Sequence, residues 1–585
     1  MSRRSGIITL AALAAAPVAG ALLYGGATVT QNSGVTATAL VTPASAARFL
    51  TQATFGPSDG SIATVQSLGY SSWIAQQEAI PASPTTLNYV QQWALSWSAT
   101  NPDTVPVNST VVYDGMWKGA ITNNDQLRER VRLALSEIFV VSFNTPVMKS
   151  RSVASYYDLL GADAFGNFRT LLQDVTLHPA MGAYLNMMSN FKENPATGQH
   201  PDQNYAREVM QLMSIGLTQL HQDGSPITDA TGRPIPTFSA ADVSGLASVF
   251  TGYGWYTSNP KAVGTLPAFS GTNKPLEAWL NPMQPYPVFH STAQKTFLGV
   301  TIPASTTSDP PGDLKIALDT IFNHPNVGPF IGKQLIQRLI TSNPSPAYVS
   351  RVAAVFNNNG KGVRGDMAAV VAAILLDPEA RNDSVGADPS LGPGFGKLRE
   401  PVVRMANWAR AFGANSSSGW WRIGDTSAPT ALNQVTLDAP SVFNFWSPTY
   451  SPPPATALGH AGLFAPEFQA VSAVSTAGYL NVMLRTVYRG AGPNDSVTGV
   501  PDVSTTYPTL TPLAANPGAL ADKVGLMLLY GQMSSALKAR IVHAVNTVSI
   551  PGPPATTAQI NAALAQRAIF AVYFTLASPE YLAER

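Results

Sequence analysis

The sequence predicts a mainly α-helical protein, a large multi-helix globular domain with long Pro/Gly-rich loops and a small β-hairpin near residue 290. Three observations predict this class. Apolar residues recur at helical spacing along most of the 585-residue chain, 45% of the residues are hydrophobic, and only 12% are charged. Such a composition supports a large buried core and argues against a disordered chain.

The strongest helical pattern lies at 125–140. Leu127, Val131 and Leu135 fall on one face of this segment, and charged residues occupy the other faces, as in an amphipathic core helix. The same periodicity predicts further helices at 46–55, 168–177, 204–215, 240–250, 314–322, 327–340, 348–357, 367–376, 401–412, 466–484, 534–548 and 558–576.

Long loops separate these helices. With 47 prolines and 46 glycines, the helical pattern is interrupted at 258–287, 383–396, 447–461 and 491–517. Loops of this length in a compact protein often carry function. The segment 289–297 has apolar flanks around a short polar stretch, which predicts a β-hairpin or a tight loop.

Two predicted helices end in the same dipeptide. His178-Pro179 follows one of them and His324-Pro325 follows the other. Proline suits the first position of a helix because it lacks a backbone donor that would be unpaired there. The pairs therefore predict joints between consecutive helices, and a ligand role for the histidines is the alternative.

The N-terminal segment has the layout of a secretory signal. Two arginines precede an uncharged run at 7–23, and small residues follow. We expect 1–27 to be a signal peptide, 28–42 a linker, and 43–585 a single large helical domain or two tightly packed halves. The expected location is periplasmic or secreted, with the twin-arginine route as one means of export and a retained anchor as the alternative to cleavage.

Charge and cysteine content exclude several classes of protein. The net charge is +1 and basic residues are spread along the chain, so we expect no nucleic-acid partner. Zero cysteines exclude disulfides, thiolate metal sites and cysteine nucleophiles. No later apolar run is long enough to span a bilayer, so we expect no transmembrane segment in the mature chain.

Several short segments form an ordered series along the chain. They lie at 46–50, 53–56, 126–131, 204–212, 289–290, 295–299, 362–366, 397–401 and 440–443. Together they resemble the bacterial domain-of-unknown-function family 1800. The resemblance implies an exported protein without a settled reaction, often encoded near an exported protein similar to sulfatases, which we expect as a partner.

The sequence departs from the pattern of that family at three positions. Gln211 stands where a second glutamate is common, and Ser291 and Ala293 stand where Asp and Gly are usual. These differences remove two carboxylates, so the resemblance predicts no metal site. The sequence identifies no cofactor.

One predicted helix carries a polar face. Asn204, Glu208 and Gln211 are spaced at i, i+4 and i+7, with Arg207 alongside. A desolvated Glu208 would have a raised pKa suited to acid–base chemistry, with Asn204, Arg207 and Gln211 binding substrate. The alternative is a buried structural network of ion pairs and hydrogen bonds.

Three further residues complete the candidate catalytic set. His290 and Lys295 offer a proton shuttle and a cation for an anionic substrate, and Asp242 is a third candidate near the start of a helix. The alternatives are a loop histidine with a structural role and an acidic residue placed by the helix dipole. We predict that Glu208 and His290 lie near one another, since each needs a partner if buried.

These residues leave two classes of function open. The first is an envelope or extracellular enzyme, hydrolase-like, that acts on a polymer; the second is a non-catalytic binding or assembly partner of another exported protein. No common catalytic motif is present. Aromatic clusters at 253–256, 420–421 and 443–446 are suited either to sugar rings or to pinning loops. Candidate residues lining one cleft would favour the enzyme, and candidates sealed in the core would favour the partner.

Overall fold

The protein is described by a computed structural model over residues 41–83, 85–271, 273–382, 394–494 and 499–585. Within these ranges the chain forms 25 α-helices and nine short β-strands, which confirms the mainly α-helical class. The predicted signal peptide, nearly all of the predicted linker and most of the predicted loop at 383–396 lie outside the described residues.

The N-terminal helices begin at sequence features that favour a helix start. Thr42 accepts a hydrogen bond from the Ser45 amide before the first helix, and Ser58 and Ser61 form a capping box before the second. The helices are α1 Pro43–Ala53, α2 Asp59–Leu68, α3 Tyr70–Ala79, α4 Thr86–Trp97, α5 Ser109–Thr122, α6 Gln126–Ser136, α7 Ser150–Ala162, α8 Phe168–Leu177, α9 Pro179–Tyr184 and α10 Asn204–Gln211.

The central helices follow, with short helices inside the first long loop. They are α11 Ala240–Val249, α12 Leu266–Ser270, α13 Leu276–Leu280, α14 Pro310–Asn323, α15 Val327–Leu339, α16 Pro346–Asn357, α17 Met367–Leu376 and α18 Pro378–Arg381. The predicted helices at 168–177 and 367–376 are confirmed with identical bounds.

The C-terminal helices complete the fold. They are α19 Pro401–Ala411, α20 Ala457–His460, α21 Ala473–Arg489, α22 Pro517–Leu529, α23 Ser535–Asn546, α24 Thr557–Leu576 and α25 Pro579–Leu582. The predicted helix at 466–484 is wrong at its start. Residues 466–470 form a 3-10 turn, and the helix begins only after Ser472, which forms a capping box with Ser475.

The strands are short and form small antiparallel sheets. They are β1 Tyr253–Gly254, β2 Gln284–Pro285, β3 Lys295–Phe297, β4 Val300–Ile302, β5 Lys397–Leu398, β6 Asn415–Ser416, β7 Ala491–Asn494, β8 Pro501–Ser504 and β9 Ala583–Glu584. β1 pairs with β2, β3 with β4, and β5 with β9, while β8 lies between β6 and β7.

The hairpin expected near residue 290 is the pair β3–β4, and its strands follow His290 rather than enclosing it. Lys295 pairs with Ile302, and the chain turns at Leu298 and Gly299, both of which have positive φ. His290 itself ends a 3-10 turn five residues before the first strand. His290 and Lys295 are therefore not opposite each other across a turn.

The His-Pro pairs are joints between helices, as predicted. His178 ends α8 and caps α9, with its Nδ1 atom accepting from the Ala180 amide. His324 ends α14, and its Nδ1 atom accepts from the Asn326 amide. Each imidazole thus accepts a hydrogen bond from a backbone amide that has no partner within the next helix.

One connected apolar core runs through most of the described chain. Its buried side chains come from helices as distant as α1 and α25, with Phe49 and Tyr581 among the most enclosed. A small second cluster joins Trp255 and Trp279. No helix in the described ranges is both long enough and apolar enough to cross a membrane. The division into one domain or two halves stays a prediction.

Candidate functional site

His290 and Lys295 meet at a carboxylate that sequence reasoning did not select. Oδ2 of Asp313, in the first turn of α14, lies 3.0 Å from His290 Nε2 and 2.9 Å from Lys295 Nζ. Burial opposes the ionisation of Asp313, but the hydrogen bonds from His290 and Lys295 outweigh it and hold its pKa below the ordinary value. His290 is 0% exposed and Lys295 2%, so this cluster is sealed inside the protein.

Both ring nitrogens of His290 face acceptors. Nδ1 lies 2.7 Å from the carbonyl oxygen of Thr251, and Nε2 faces Asp313. The ring is therefore held between the backbone that follows α11 and the carboxylate of Asp313. Lys295 Nζ also donates to two backbone carbonyl oxygens. The cluster therefore joins the hairpin, α14 and the chain after α11 as a structural clamp.

Asp242 lies at the start of α11 and joins that helix to the hairpin. Its carboxylate accepts hydrogen bonds from the amide and hydroxyl of Ser239 and from the amide of Leu298, each at 2.7 Å. Burial opposes ionisation, but these hydrogen bonds outweigh it and lower the pKa of Asp242. The carboxylate thus caps the helix and fixes the turn of the hairpin.

The polar face of α10 divides between the interior and the surface. Glu208 is buried, and its Oε2 atom has no hydrogen-bond partner in the part of the chain that the structure describes. Arg207 is exposed, and Asn204 and Gln211 are half-buried. Burial raises the pKa of Glu208, and the charge of Arg207 opposes the shift. Among the described residues, no hydrogen bond or ion pair joins Glu208 to His290. Their convergence in one cleft stays a prediction.

Gln211 differs from the other candidates because it lines a large cavity. The cavity has a volume of about 660 Å³ and lies between the ends of α6 and α10, the helices α15 and α16, and loops near 220 and 445. Most of its wall is apolar. The apolar lining residues are Ile138, Leu212, Leu217, Leu220, Pro226, Phe330, Pro344, Pro346, Val349, Val442, Phe443, Pro448 and Phe464.

Buried amides hold the loops of this cavity in place. Asn326, just before α15, donates to the carbonyl oxygens of Ile215 and Thr218 at 2.8 and 2.7 Å. Gln337 donates to the carbonyl oxygen of Pro448 at 3.0 Å and so positions the loop near 445. Side chains with fixed partners of this kind keep the cavity open in the absence of a ligand.

A glycine lets the chain turn at the wall of the cavity. Gly216 has a φ of 71°, and a Cβ atom there would lie 2.6 Å from the ring of Phe330. Both the left-handed backbone and the close ring therefore require glycine. The turn brings the loop that follows α10 against α15.

The ammonium group of Lys333, on α15, lies at the cavity beside an aromatic ring. Lys333 Nζ lies 5.4 Å from the ring centre of Phe464, and burial lowers its pKa. Within the described ranges no ion pair or hydrogen bond engages that ammonium group. Gln334 also lines the cavity, but its Nε2 atom is enclosed by protein and has no acceptor among the described residues. Native interiors leave few charged groups unpaired, so Lys333 is the candidate for a ligand contact.

A buried charge network lies beneath the cavity floor. Arg338 Nε lies 3.3 Å from Oε2 of Glu137, and both residues line the cavity. Behind them, Lys397 Nζ lies 3.4 Å from Glu400 and 3.1 Å from Glu467. The two cations, Arg338 and Lys397, lie beside the three glutamates, which offsets part of the cost of removing these groups from water.

Two glutamates of the network have opposed pKa values. Burial and the neighbouring Glu400 raise the pKa of Glu137 well above its ordinary value. Burial opposes the ionisation of Glu400, but Lys397 and Arg130 outweigh it and lower its pKa. The two carboxyl groups are close enough for the ionisation of one to affect the other, so they titrate as a pair.

A family model described as a protein of unknown function (DUF1800) matches residues 48–583. The chain belongs to this family. No curated protein and no solved structure matches it. Two of the segments by which the chain resembles the DUF1800 family supply charges to the buried network: Arg130 comes from 126–131, and Lys397 and Glu400 come from 397–401.

Sequence reasoning selected Gln211 and the aromatic segment that contains Phe443, but it missed the other residues of the cavity. A signal for them exists in this DUF1800 chain. Gln334, Gln337 and Arg338 are spaced at i, i+3 and i+4 within a segment that otherwise reads as an apolar core helix. Polar residues on one face of such a helix indicate either a buried network or a site, and here they provide both.

The described part of this DUF1800 protein contains no arrangement of three His, Asp or Glu side chains that could hold a metal ion. The cavity instead offers amide, ammonium and aromatic groups. These groups orient an organic ligand by hydrogen bonds, charge and stacking.

Proposed function

We propose that the protein is an exported, non-catalytic ligand-binding protein that takes an organic molecule into the cavity along α15. The observation that carries the proposal is the cavity itself. Its volume of about 660 Å³ and its mainly apolar wall with a few inward polar groups are typical of ligand sites. Phe443 at its exposed rim belongs to the aromatic segment considered for ligand contact.

The state of the candidate catalytic residues supports binding rather than catalysis. His290 and Lys295 are enclosed and bound to Asp313, and Asp242 caps a helix. A general base must reach the proton that it abstracts, and the enclosed His290 and Lys295 face protein groups instead. Export is proposed from the N-terminal sequence, and a sulfatase-like exported protein is proposed as the partner from the family resemblance alone.

The proposal is tested with a neutral apolar probe and a blocked cavity. N-phenyl-1-naphthylamine fluoresces when it enters an apolar site, and its titration gives a dissociation constant. Leu217 lines the cavity and is 57% exposed, so Leu217→Trp should narrow the entrance without disturbing the core. Leu266 is 54% exposed and is not among the residues lining this cavity, so Leu266→Trp is the matched control.

We expect Leu217→Trp to weaken probe binding about tenfold or more, equivalent to roughly 1.4 kcal/mol. The Leu266→Trp protein should bind as the unmodified protein does. Equal binding by all three proteins, or no saturable binding by any, would show that the cavity is not a ligand site.

A hydrolase-like enzyme acting on a polymer is the second candidate. One observation favours it, because Glu137 lines the cavity and burial raises its pKa, as a general acid requires. Release of soluble fragments from purified envelope polysaccharide, abolished in Glu137→Gln while probe binding is retained, would establish this activity. Fragment release that is absent, or that Glu137→Gln leaves intact, would remove it.

A further inference from the structure

We propose that the ligand of this cavity is an apolar molecule that carries one anionic group, and that Lys333 holds the anionic group. This inference rests on the proposed binding function and specifies the chemical class of the ligand. It starts from a half-buried ammonium group that, among the described residues, has no anionic partner.

An ammonium group in such a place needs a compensating interaction. Transfer of a charge away from water is costly unless an opposite charge or hydrogen-bond acceptors surround it. The nearby ring of Phe464 supplies part of that compensation through its π face. A ligand anion would supply the rest, because it would pair with the charge in a site that excludes much of the water.

The chemistry of an ammonium group defines what it can bind. The Nζ atom of Lys333, which lines the cavity, offers hydrogen-bond donors and no acceptor. A carboxylate or another oxyanion supplies both acceptors and an opposite charge, whereas a cationic ligand supplies neither.

The remaining charges of the cavity are consistent with an anion at Lys333. Arg338 is on the floor and is paired with Glu137. Asp223 also lines the cavity, but its carboxylate is at the exposed side and accepts from the amide and hydroxyl of Ser225. Lys333 is therefore the lining cation that, among the described residues, has no anionic partner.

The wall of the cavity indicates the chemistry of the remaining, uncharged part of the ligand. Apolar residues from the loop near 220, from α15 and from the loop near 445 form the wall. Burial of apolar surface stabilises a bound acyl chain or aromatic ring by about 25 cal/mol per Å². The shared chemistry is thus an apolar body with a single acidic head, and both acyl and aromatic acids satisfy it.

Matched competitors of N-phenyl-1-naphthylamine test the inference. Dodecanoate, dodecan-1-ol and dodecyltrimethylammonium share one tail and differ in head charge, while 2-naphthoate and 2-naphthol form the aromatic pair. We expect each acid to displace the probe at a concentration about tenfold below that of its alcohol, since hydrogen bonds to charged groups are the stronger ones. The cation should compete least.

Lysine variants assign the preference to one residue. Lys333→Gln should bring acid and alcohol to equal potency, and Lys333→Arg should keep the acid ahead. Lys361 is exposed, has no ion pair among the described residues and is not among the residues lining this cavity, so Lys361→Gln is the matched control and should leave the preference unchanged.

Three results would overturn the inference. They are equal potency of acid and alcohol in the unmodified protein, an acid preference that survives in Lys333→Gln, and loss of the preference in Lys361→Gln. In each case, probe binding that remains sensitive to Leu217→Trp would leave the proposed binding function standing. A lower displacing concentration for dodecanoate than for 2-naphthoate would indicate an acyl ligand, and the reverse would indicate an aromatic one.

Discussion

Replacement of Asp313 by asparagine should destabilise the protein because two buried side chains, His290 and Lys295, share that carboxylate. Asp313 Oδ2 lies 2.9 Å from Lys295 Nζ and 3.0 Å from His290 Nε2. Asp313→Asn keeps the shape of the side chain and removes its charge. The change therefore tests the electrostatic part of the clamp with little effect on packing.

The magnitude follows from these contacts. A hydrogen bond to a charged group contributes about 1.5–3 kcal/mol, and breaking a buried ion pair costs about 3–5 kcal/mol. The asparagine retains one acceptor oxygen, Lys295 keeps two backbone acceptors, and the Asp313 side chain is 13% exposed. We therefore expect a loss near the lower end of the range, about 3 kcal/mol.

Urea unfolding followed by circular dichroism measures the loss, and hydrogen exchange in 289–302 shows whether it is local. Asp319→Asn is the control because Asp319 lies on the same helix and pairs with Arg169 and Lys315 at a more exposed site. Such surface pairs contribute about 0–1 kcal/mol. If Asp313→Asn costs no more than this control, the clamp does not stabilise the fold.

Two further substitutions follow from the structure. Burial, and then the charge of Asp366, raise the pKa of Glu78 from 4.5 to about 7, so the folded state holds an extra proton and the protein loses stability as pH rises between these values. Glu78→Gln should remove that dependence and stabilise the protein above pH 7 by roughly 1–2 kcal/mol, a figure reduced because Glu78 is partly exposed. If the substitution shifts the melting midpoint by the same amount at pH 5 and at pH 8, this prediction is contradicted. In α11, a Cβ atom on Gly245 would collide with the carbonyl oxygen of Thr296, so Gly245→Ala should lower the thermal midpoint sharply. Gly60→Ala, where nothing lies within 4 Å, should leave the midpoint unchanged or raised, and equal midpoints for the two variants would refute the packing argument.

The helices could be predicted from the sequence because the cues are local. Asp366 caps α17, and a run of apolar residues continues to its end, so both bounds are encoded within a few residues. The start of α21 was misplaced because Pro466 suits the first turn of a 3-10 helix as well as that of an α-helix. Residue preferences at the first turn do not distinguish a 3-10 helix from an α-helix here, because the cap at Ser472 provides a second favourable helix start a few residues later.

The candidate site was harder to predict because its contacts are long-range. His290 could be singled out by its setting, but its partner Asp313 comes from the next helix and carries no local signal. The pairing of Glu137 with Arg338 joins two helices that are distant in sequence. A sequence shows which faces are polar, whereas the partner across the core depends on how the helices pack.

The pairing of β5 with β9 has a consequence for the order of folding. Lys397 is opposite Glu584, and Arg399 lies 3.7 Å from the same carboxylate, so the network under the cavity is completed by residues made long after its first members. Until 583–584 emerge from the ribosome, these buried charges lack one anion. Contacts between residues so distant in the sequence form late, and long-range closure of this kind slows folding.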